Sequence, residues 1–260
     1  MPFRVNNFYN NDDVVCTAQM GAFKLLEWKR DLSVTPTTAQ NAYFAAKMGV
    51  RRRQVAIDLN QSPVVIQAGA MQFMVGDVQM TSGVKGAGDL IGKAFRGSVT
   101  GESAIKPEYH GTGQLILEPT YKFVFFEDVN AWGNDVTLDD GAFLACYSSL
   151  QHRTVMRSNI SSAAAGGEGL FNLALSGYGA VAIESPCPRE ELIEIQLQND
   201  QVKIDGPLAL MWSTSLQFTV ERSGKSLIGS AASGEGLVNV YRGTGRILMA
   251  PTQYGSGVLG

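Results

Sequence analysis

The chain has 260 residues, of which 45% are hydrophobic and 17% are charged, so it is long enough to bury a sizeable core. Its net charge of -3 provides no basic field of the kind that attracts phosphates, which argues against nucleic acid as a partner. The N-terminus lacks a secretory signal pattern, and no apolar run approaches the roughly 18 residues of a membrane span, so we expect a cytoplasmic protein.

The N-terminal segment, residues 1–53, is predicted to pack against the body that the rest of the chain forms. The residues from Val14 to Trp28 predict two short strands around Gly21. A threonine that resembles an N-cap precedes Pro36, and apolar residues follow at helical spacing. We therefore predict one amphipathic helix that begins at Pro36 and ends near Gly49.

A basic cluster follows this helix. It runs from Lys47 to Arg53, and Arg51, Arg52 and Arg53 are candidates for contact with phosphate or with anionic lipid head groups. The cluster lacks the interleaved aromatic residues that stack nucleobases. The alternative interpretation is a solvated entry into the next strand.

Three similar units follow. Gly111, Gly177 and Gly243 each begin a Gly-x-Gly motif that leads into an apolar run, and they recur at intervals of 66 residues. A Gly-Glu pair precedes each motif. We divide this part of the chain into repeat 1 (54–120), repeat 2 (121–186) and repeat 3 (187–260). The motif residues, to which we assign structural roles, are Gly101, Glu102, Gly111, Gly113, Gly167, Glu168, Gly177, Gly179, Gly234, Glu235, Gly243 and Gly245.

Each unit alternates apolar and polar residues as half-buried strands do, and the 29 glycines suit many tight turns. Units of this size cannot cover their own apolar faces, so we expect them to form one compact body with a joint core. Repeat 1 carries about six extra residues, which we place between 83 and 100 and predict to form a short helix.

The Gly167-Glu-Gly-Leu-Phe sequence, the Gly-x-Gly blocks and the Val202-x-Ile-Asp block resemble the family named for altered inheritance of mitochondria, formerly a domain of unknown function. The resemblance runs from about Gln54 to Thr252. It implies an all-β sandwich or short double-stranded β-helix similar to the tryptophan RNA-binding attenuation protein fold, with homo-oligomers. Mitochondrial relatives are associated with inner-membrane organisation, and the resemblance brings no catalytic residues.

The sequence offers no catalytic, cofactor-binding or metal-binding constellation. His110 and His152 do not have metal-ligand spacing, and the Gly-x-Gly motifs lack the third glycine and the helix of a dinucleotide site. Gly224-Lys-Ser lacks the earlier glycine of a phosphate-binding loop. The three cysteines are in no Cys-x-x-Cys pair, and we predict reduced, packed thiols.

We therefore predict a non-enzymatic scaffold or interaction protein that self-associates and is peripheral to a membrane. The main alternative is a β module that binds a small ligand or RNA. An enzyme that uses carboxylates between its lobes is the third and weakest hypothesis. Adjacent acids on a strand point to opposite faces, which disfavours their joint action on a substrate.

Overall fold

The computed structural model describes residues 3–82, 106–139, 141–156, 171–222 and 237–252. These residues are mostly strands with one α-helix, which confirms the predicted all-β class. The elements are β1 (Val14–Met20), β2 (Phe23–Trp28), α1 (Ala39–Lys47), β3 (Arg53–Asp58), β4 (Val64–Ile66), β5 (Met71–Thr81), β6 (Glu108–Leu117), β7 (Phe123–Asp128), β8 (Asp135–Leu138), β9 (Phe143–Tyr147), β10 (Gln151–Met156), β11 (Phe171–Ser176), β12 (Ala180–Ser185), β13 (Ile193–Asp205), β14 (Ala209–Ser213), β15 (Gln217–Arg222) and β16 (Leu237–Met249).

The strands form two antiparallel sheets. The order in the first sheet is β1-β2-β3-β6-β4-β9-β12-β7, and β5 also pairs with β6. The order in the second sheet is β10-β11-β8-β14-β16-β13, and β15 also pairs with β16. The predicted hairpin around Gly21 is β1 and β2, which pair from Val14 with Trp28 to Met20 with Phe23.

A central strand has similar neighbours in each predicted repeat. β6 lies between β5 on one side and β3 with β4 on the other, and β16 lies between β13 and the pair β14 with β15. In repeat 2 the central position is shared by β11, which pairs with β8 and β10, and β12, which pairs with β7 and β9. This recurrence agrees with the 66-residue spacing, and the division into three repeats stays a prediction.

The Gly-x-Gly motifs lie within the central strands β6 and β16 and in the connection between β11 and β12. Gly111 and Gly113 of β6 have φ values of +118° and +158°, and Gly177 and Gly179 between β11 and β12 have values of +114° and +151°. Gly243 of β16 has a φ of +122°. Only glycine adopts such backbone without strain, which agrees with a structural role for these positions. The Gly-Glu pairs at 101–102, 167–168 and 234–235, and the helix expected between 83 and 100, lie outside the described residues.

The main core lies between the two sheets. Val65 of β4 and Val181 of β12 in the first sheet share a buried cluster with Leu138 of β8 and Met211 of β14 in the second. Burial of each large apolar side chain contributes roughly 1.5–3 kcal/mol to folding. Residues of all three predicted repeats therefore depend on one core.

The N-terminal strands pack on this body. Phe23 and Leu25 of β2 share a second buried cluster with Val64 of β4 and Leu115 of β6. The backbone N–H of Ala22 donates to the Tyr147 hydroxyl at 2.8 Å, which ties the β1–β2 turn to β9.

Helix α1 begins later than predicted. Residues 35–38 form a turn instead, because the carbonyl of Thr35 accepts hydrogen bonds from the N–H groups of Thr38 and Ala39. Thr38 is the N-cap residue, and the helix ends just before Gly49, whose φ is +80° as in many helix C-termini. No residue of α1 is fully buried, and of its expected apolar face Ala39, Ala42 and Ala46 are half-buried while Tyr43 is exposed.

The three cysteines are free thiols in different surroundings. Cys146 is buried in the main core, and this burial raises the pKa of its thiol to about 12. Cys187 is partly buried. Cys16 is exposed on β1, so the prediction of packed thiols is wrong for this residue, because its side chain points away from the core face of an edge strand.

Candidate functional site

A groove of about 790 Å³ lies between helix α1, the segment 29–34 and the residues that flank β2 and β3. Side chains of α1 line it, although no residue of the helix is fully buried. Its apolar walls include Trp28, Leu32, Val34, Ala42, Ala46 and Val50. Pockets of this size and character are typical of small-ligand sites.

Arg53 does not line the groove, and its side chain has a structural role. Its side chain is 6% exposed, and its Nη2 lies 2.9 Å from Glu27 Oε2 and donates to the Gly49 carbonyl at 2.8 Å. The guanidinium also covers the ring of Phe123, with Cζ 4.0 Å from the ring centroid. Burial lowers the pKa of Arg53, although Glu27 opposes this shift. Arg53 therefore joins three segments and offers no free surface to an anion, contrary to the sequence expectation.

Arg51 connects the end of α1 to the sheet. Its Nε donates to the carbonyl of Ala46 at 3.2 Å, and its Nη1 donates to Glu27 Oε1 at 3.0 Å. A cation at the C-terminus of a helix also interacts favourably with the helix dipole. Glu27 consequently forms ion pairs both with Arg51, which lines the groove, and with Arg53, which does not.

Arg52 forms one wall of the groove. Its guanidinium stacks on Trp28, with Cζ 4.6 Å from the ring centroid, and its Nη1 is 3.6 Å from Asp31 Oδ1. The Nε of Arg52 is covered and has no hydrogen-bond partner among the described residues. The Tyr121 hydroxyl donates to Asp31 Oδ2 at 2.6 Å, which lowers the pKa of Asp31 and raises the pKa of Tyr121. Asp31 is therefore a stable anion beside Arg52.

Large apolar side chains cover the outside of the helix and its flanks. Tyr43 and Phe44 are 58% and 59% exposed, and their rings meet edge to face at 5.5 Å. Met48 is 81% exposed, Leu32 is 71% exposed and Val50 is 42% exposed. We call these five residues the α1 face. A cluster of exposed apolar residues of this kind marks an interaction surface.

Positive charge surrounds the α1 face. The residues that line the groove include the cations Lys29, Arg30, Lys47, Arg51 and Arg52 and the acid Asp31. Ion pairs offset part of this charge, because Arg30 pairs with Asp13 and Arg51 with Glu27. Lys47 lies 5.2 Å from the ring centroid of Tyr43, and Lys29 donates to the carbonyl of Asp12 at 3.5 Å. A chain with net negative charge thus concentrates cations at one place.

The groove therefore contains only some of the site residues that were predicted from the sequence. Arg51 and Arg52 line the groove, while Arg53 does not. Trp28, Asp31 and Tyr121 were not among the residues predicted from the sequence. The aromatic residue and the acid lie only 24 and 21 positions before Arg52, but nothing in their local pattern indicates that they contact it.

The Gly-x-Gly motifs do not line this groove. A Cβ at Gly245 would lie 2.8 Å from the Cβ of Ser213, which accounts for glycine there by close packing. In the described part of the chain, no three His, Cys, Asp or Glu side chains lie close enough together to hold a metal ion. No described helix is both long enough and apolar enough to span a membrane.

Comparison with known proteins places residues 46–252 in a match to the family described as "Mitochondrial biogenesis AIM24". An uncharacterised protein of Streptococcus pyogenes serotype M6 is 30% identical to this chain over 203 residues, which are 74% of this chain and 79% of that protein. The X-ray crystal structure of a Streptococcus pyogenes protein from the Northeast Structural Genomics Consortium is similar, with a TM-score of 0.58 and 27% identity over 78% of this chain and 89% of that chain. The family match includes Arg51, Arg52 and Arg53 but not β1 or β2.

Proposed function

Because this chain belongs to the mitochondrial biogenesis AIM24 family, we propose that it is a non-enzymatic interaction protein that attaches peripherally to an anionic membrane surface through the α1 face. The observation that carries this proposal is the exposure of Tyr43, Phe44 and Met48 on a helix without buried residues. The cytoplasmic location stays a prediction.

The apolar side chains supply the first part of the attraction. A helix that lies in a membrane interface inserts its apolar side chains to the level of the head groups while its cations remain near the phosphates. Phe44 and Met48 are the most suitable side chains for insertion, because both are more than half exposed. Tyr43 has the amphipathic ring that is enriched at this level.

The basic residues supply the second part. Each lysine or arginine near an anionic membrane contributes about 1 kcal/mol to binding, and this contribution falls with ionic strength. Lys29 and Lys47 are well suited to this role, because among the described residues neither lies within 4.0 Å of a carboxylate oxygen, although Lys29 is close enough to Asp13 to lower its pKa. The anionic surface therefore matches the charge of the site better than a neutral one.

We predict that the protein binds vesicles of equal parts phosphatidylglycerol and phosphatidylcholine in a flotation assay, and that high salt weakens this binding. The double substitution Phe44→Ser with Met48→Ser should lower the partition coefficient roughly tenfold or more, because the inserted apolar area is lost. Lys29→Gln with Lys47→Gln should lower it about thirtyfold at low salt and have little effect at high salt.

The matched control is Tyr178→Ser, which removes an aromatic residue that is 69% exposed but lies outside the α1 face. This variant should bind like the parent protein. Equal binding to vesicles of phosphatidylcholine alone, or full binding by the Phe44→Ser with Met48→Ser variant, would rule out the proposed attachment.

Self-association is a second proposal with its own support. Strand β1 ends the first sheet, and its seven residues, Val14–Met20, carry no charged side chain. Uncharged edge strands offer unpaired backbone groups to a second copy. We predict that light scattering gives a mass above that of the monomer, and that Cys16→Lys on this edge lowers it. A strictly monomeric mass over a wide concentration range would contradict the proposal.

A further inference from the structure

We propose that the groove beneath α1 is a binding site for one dissolved anionic amphiphile, a molecule with a single alkyl chain and a carboxylate or phosphate head group. This ligand differs from the membrane surface proposed above, because it binds as a monomer inside the groove and not against the outside of the helix. The two proposals share Leu32 and Lys47, but Ala42 and Arg52 line the groove whereas Phe44 and Met48 do not, so substitutions at these positions let the proposals fail separately.

The walls of the groove fit an alkyl chain. Ala42 and Ala46 of α1 and Leu32 and Val34 of the preceding segment line a space of about 790 Å³. Alanine side chains on the helix leave room that larger residues would fill. Apolar walls favour a chain without polar groups, since a buried polar group without a partner is costly.

The cations that line the groove fit the head group. Arg52 has one contact with an acid, through Nη1 and Asp31 at 3.6 Å, and its Nε has no hydrogen-bond partner among the described residues. A guanidinium can donate two parallel hydrogen bonds to a carboxylate or a phosphate. Stacking on Trp28 holds the plane of this guanidinium, and the Arg52 side chain, which is 23% exposed, lines the groove that the head group would enter.

The charged residues of the lining also select the sign of the charge on the head group. Arg51 and Arg52 both line the groove, and Lys47 at the end of α1 lines it as well. Asp31 is the acid of the lining, and it is already engaged by Tyr121. A cationic or neutral head group would gain much less from these neighbours than an anionic one.

Isothermal titration calorimetry with laurate and with dodecyl phosphate, both below their micelle concentrations, tests this proposal. Both anions should bind one to one and quench the fluorescence of Trp28, and dodecyltrimethylammonium should bind at least tenfold more weakly. Ala42→Phe, which fills the groove from the helix, should lower affinity for the anions roughly tenfold or more. Arg52→Gln should lower it by a similar factor while leaving dodecanol binding unchanged.

The control for lost charge is Arg153→Gln, which removes an arginine paired with Asp135 outside the groove and should leave binding unchanged. Circular dichroism and thermal unfolding show whether each variant keeps its fold, which is expected because α1 buries no residue. Absence of binding, equal binding of the cationic amphiphile, or unchanged affinity in a folded Ala42→Phe variant would overturn the proposal.

The same variants separate the two binding modes. Ala42→Phe should still float with anionic vesicles, and Phe44→Ser with Met48→Ser should still bind laurate. If Phe44→Ser with Met48→Ser abolishes both activities, the alkyl chain binds on the outside of the helix and the groove proposal is wrong.

Discussion

Replacement of Gly111 by alanine is expected to lower the free energy of unfolding by about 3 kcal/mol or more. Two effects combine. The φ of +118° strains any residue with a Cβ, and that Cβ would overlap the carbonyl oxygen of Asp77 on the paired strand β5. The overlap is with backbone inside a strand pair, so relief requires the β5–β6 ladder to separate. Chemical denaturation followed by circular dichroism measures the loss.

Gly69→Ala is the matched control. Gly69 has a φ of +80°, but no heavy atom lies within 4 Å of the position that its Cβ would occupy. This variant therefore measures backbone strain without steric overlap. It should lower the free energy of unfolding by roughly 1 kcal/mol. Equal losses for Gly111→Ala and Gly69→Ala would show that close approach of the strands is not the reason for glycine in the first Gly-x-Gly motif.

Replacement of Arg53 by methionine is expected to destabilise the fold by about 3 kcal/mol, at the lower end of the range for breaking a buried ion pair. The variant removes the 2.9 Å contact with Glu27 and the hydrogen bond to the Gly49 carbonyl. The loss is at the lower end because Arg51 still pairs with Glu27. The free energy of unfolding in denaturant gives the size of the effect.

Arg30→Met provides the comparison. Arg30 also pairs with a carboxylate, that of Asp13 at 2.7 Å, but its side chain is 67% exposed. Solvent screens exposed pairs, so this variant should be nearly neutral. If Arg53→Met lowers the free energy of unfolding by no more than Arg30→Met does, Arg53 is not a structural residue. Arg53 is then again a candidate for contact with an anion.

These expectations divide the arginine cluster by role. Arg53 holds the segment after α1 against Glu27 and Phe123, Arg51 connects the end of the helix to Glu27, and Arg52 lines the groove. Substitution of all three at once would combine unfolding with loss of binding. Separate substitutions are therefore needed to test the surface proposals.

The amino-acid sequence by itself determined the features that depend on nearby residues. Alternation around Gly21 predicted the β1–β2 hairpin, and Gly49 marked the end of α1, because strand alternation and helix termination are set by backbone geometry within a few positions. The motifs from Gln54 to Thr252 identified the family and with it the all-β class.

The tertiary structure decided which side chains are covered. Three consecutive arginines have nearly equivalent sequence surroundings, yet the side chain of Arg53 is 6% exposed and that of Arg51 is 36% exposed. Their partner Glu27 comes from a different strand, and the pairing of β2 with β3 brings it to them. Burial and ion pairing depend on such contacts between residues distant in the chain, and for that reason the groove and the α1 face became visible only in the folded protein.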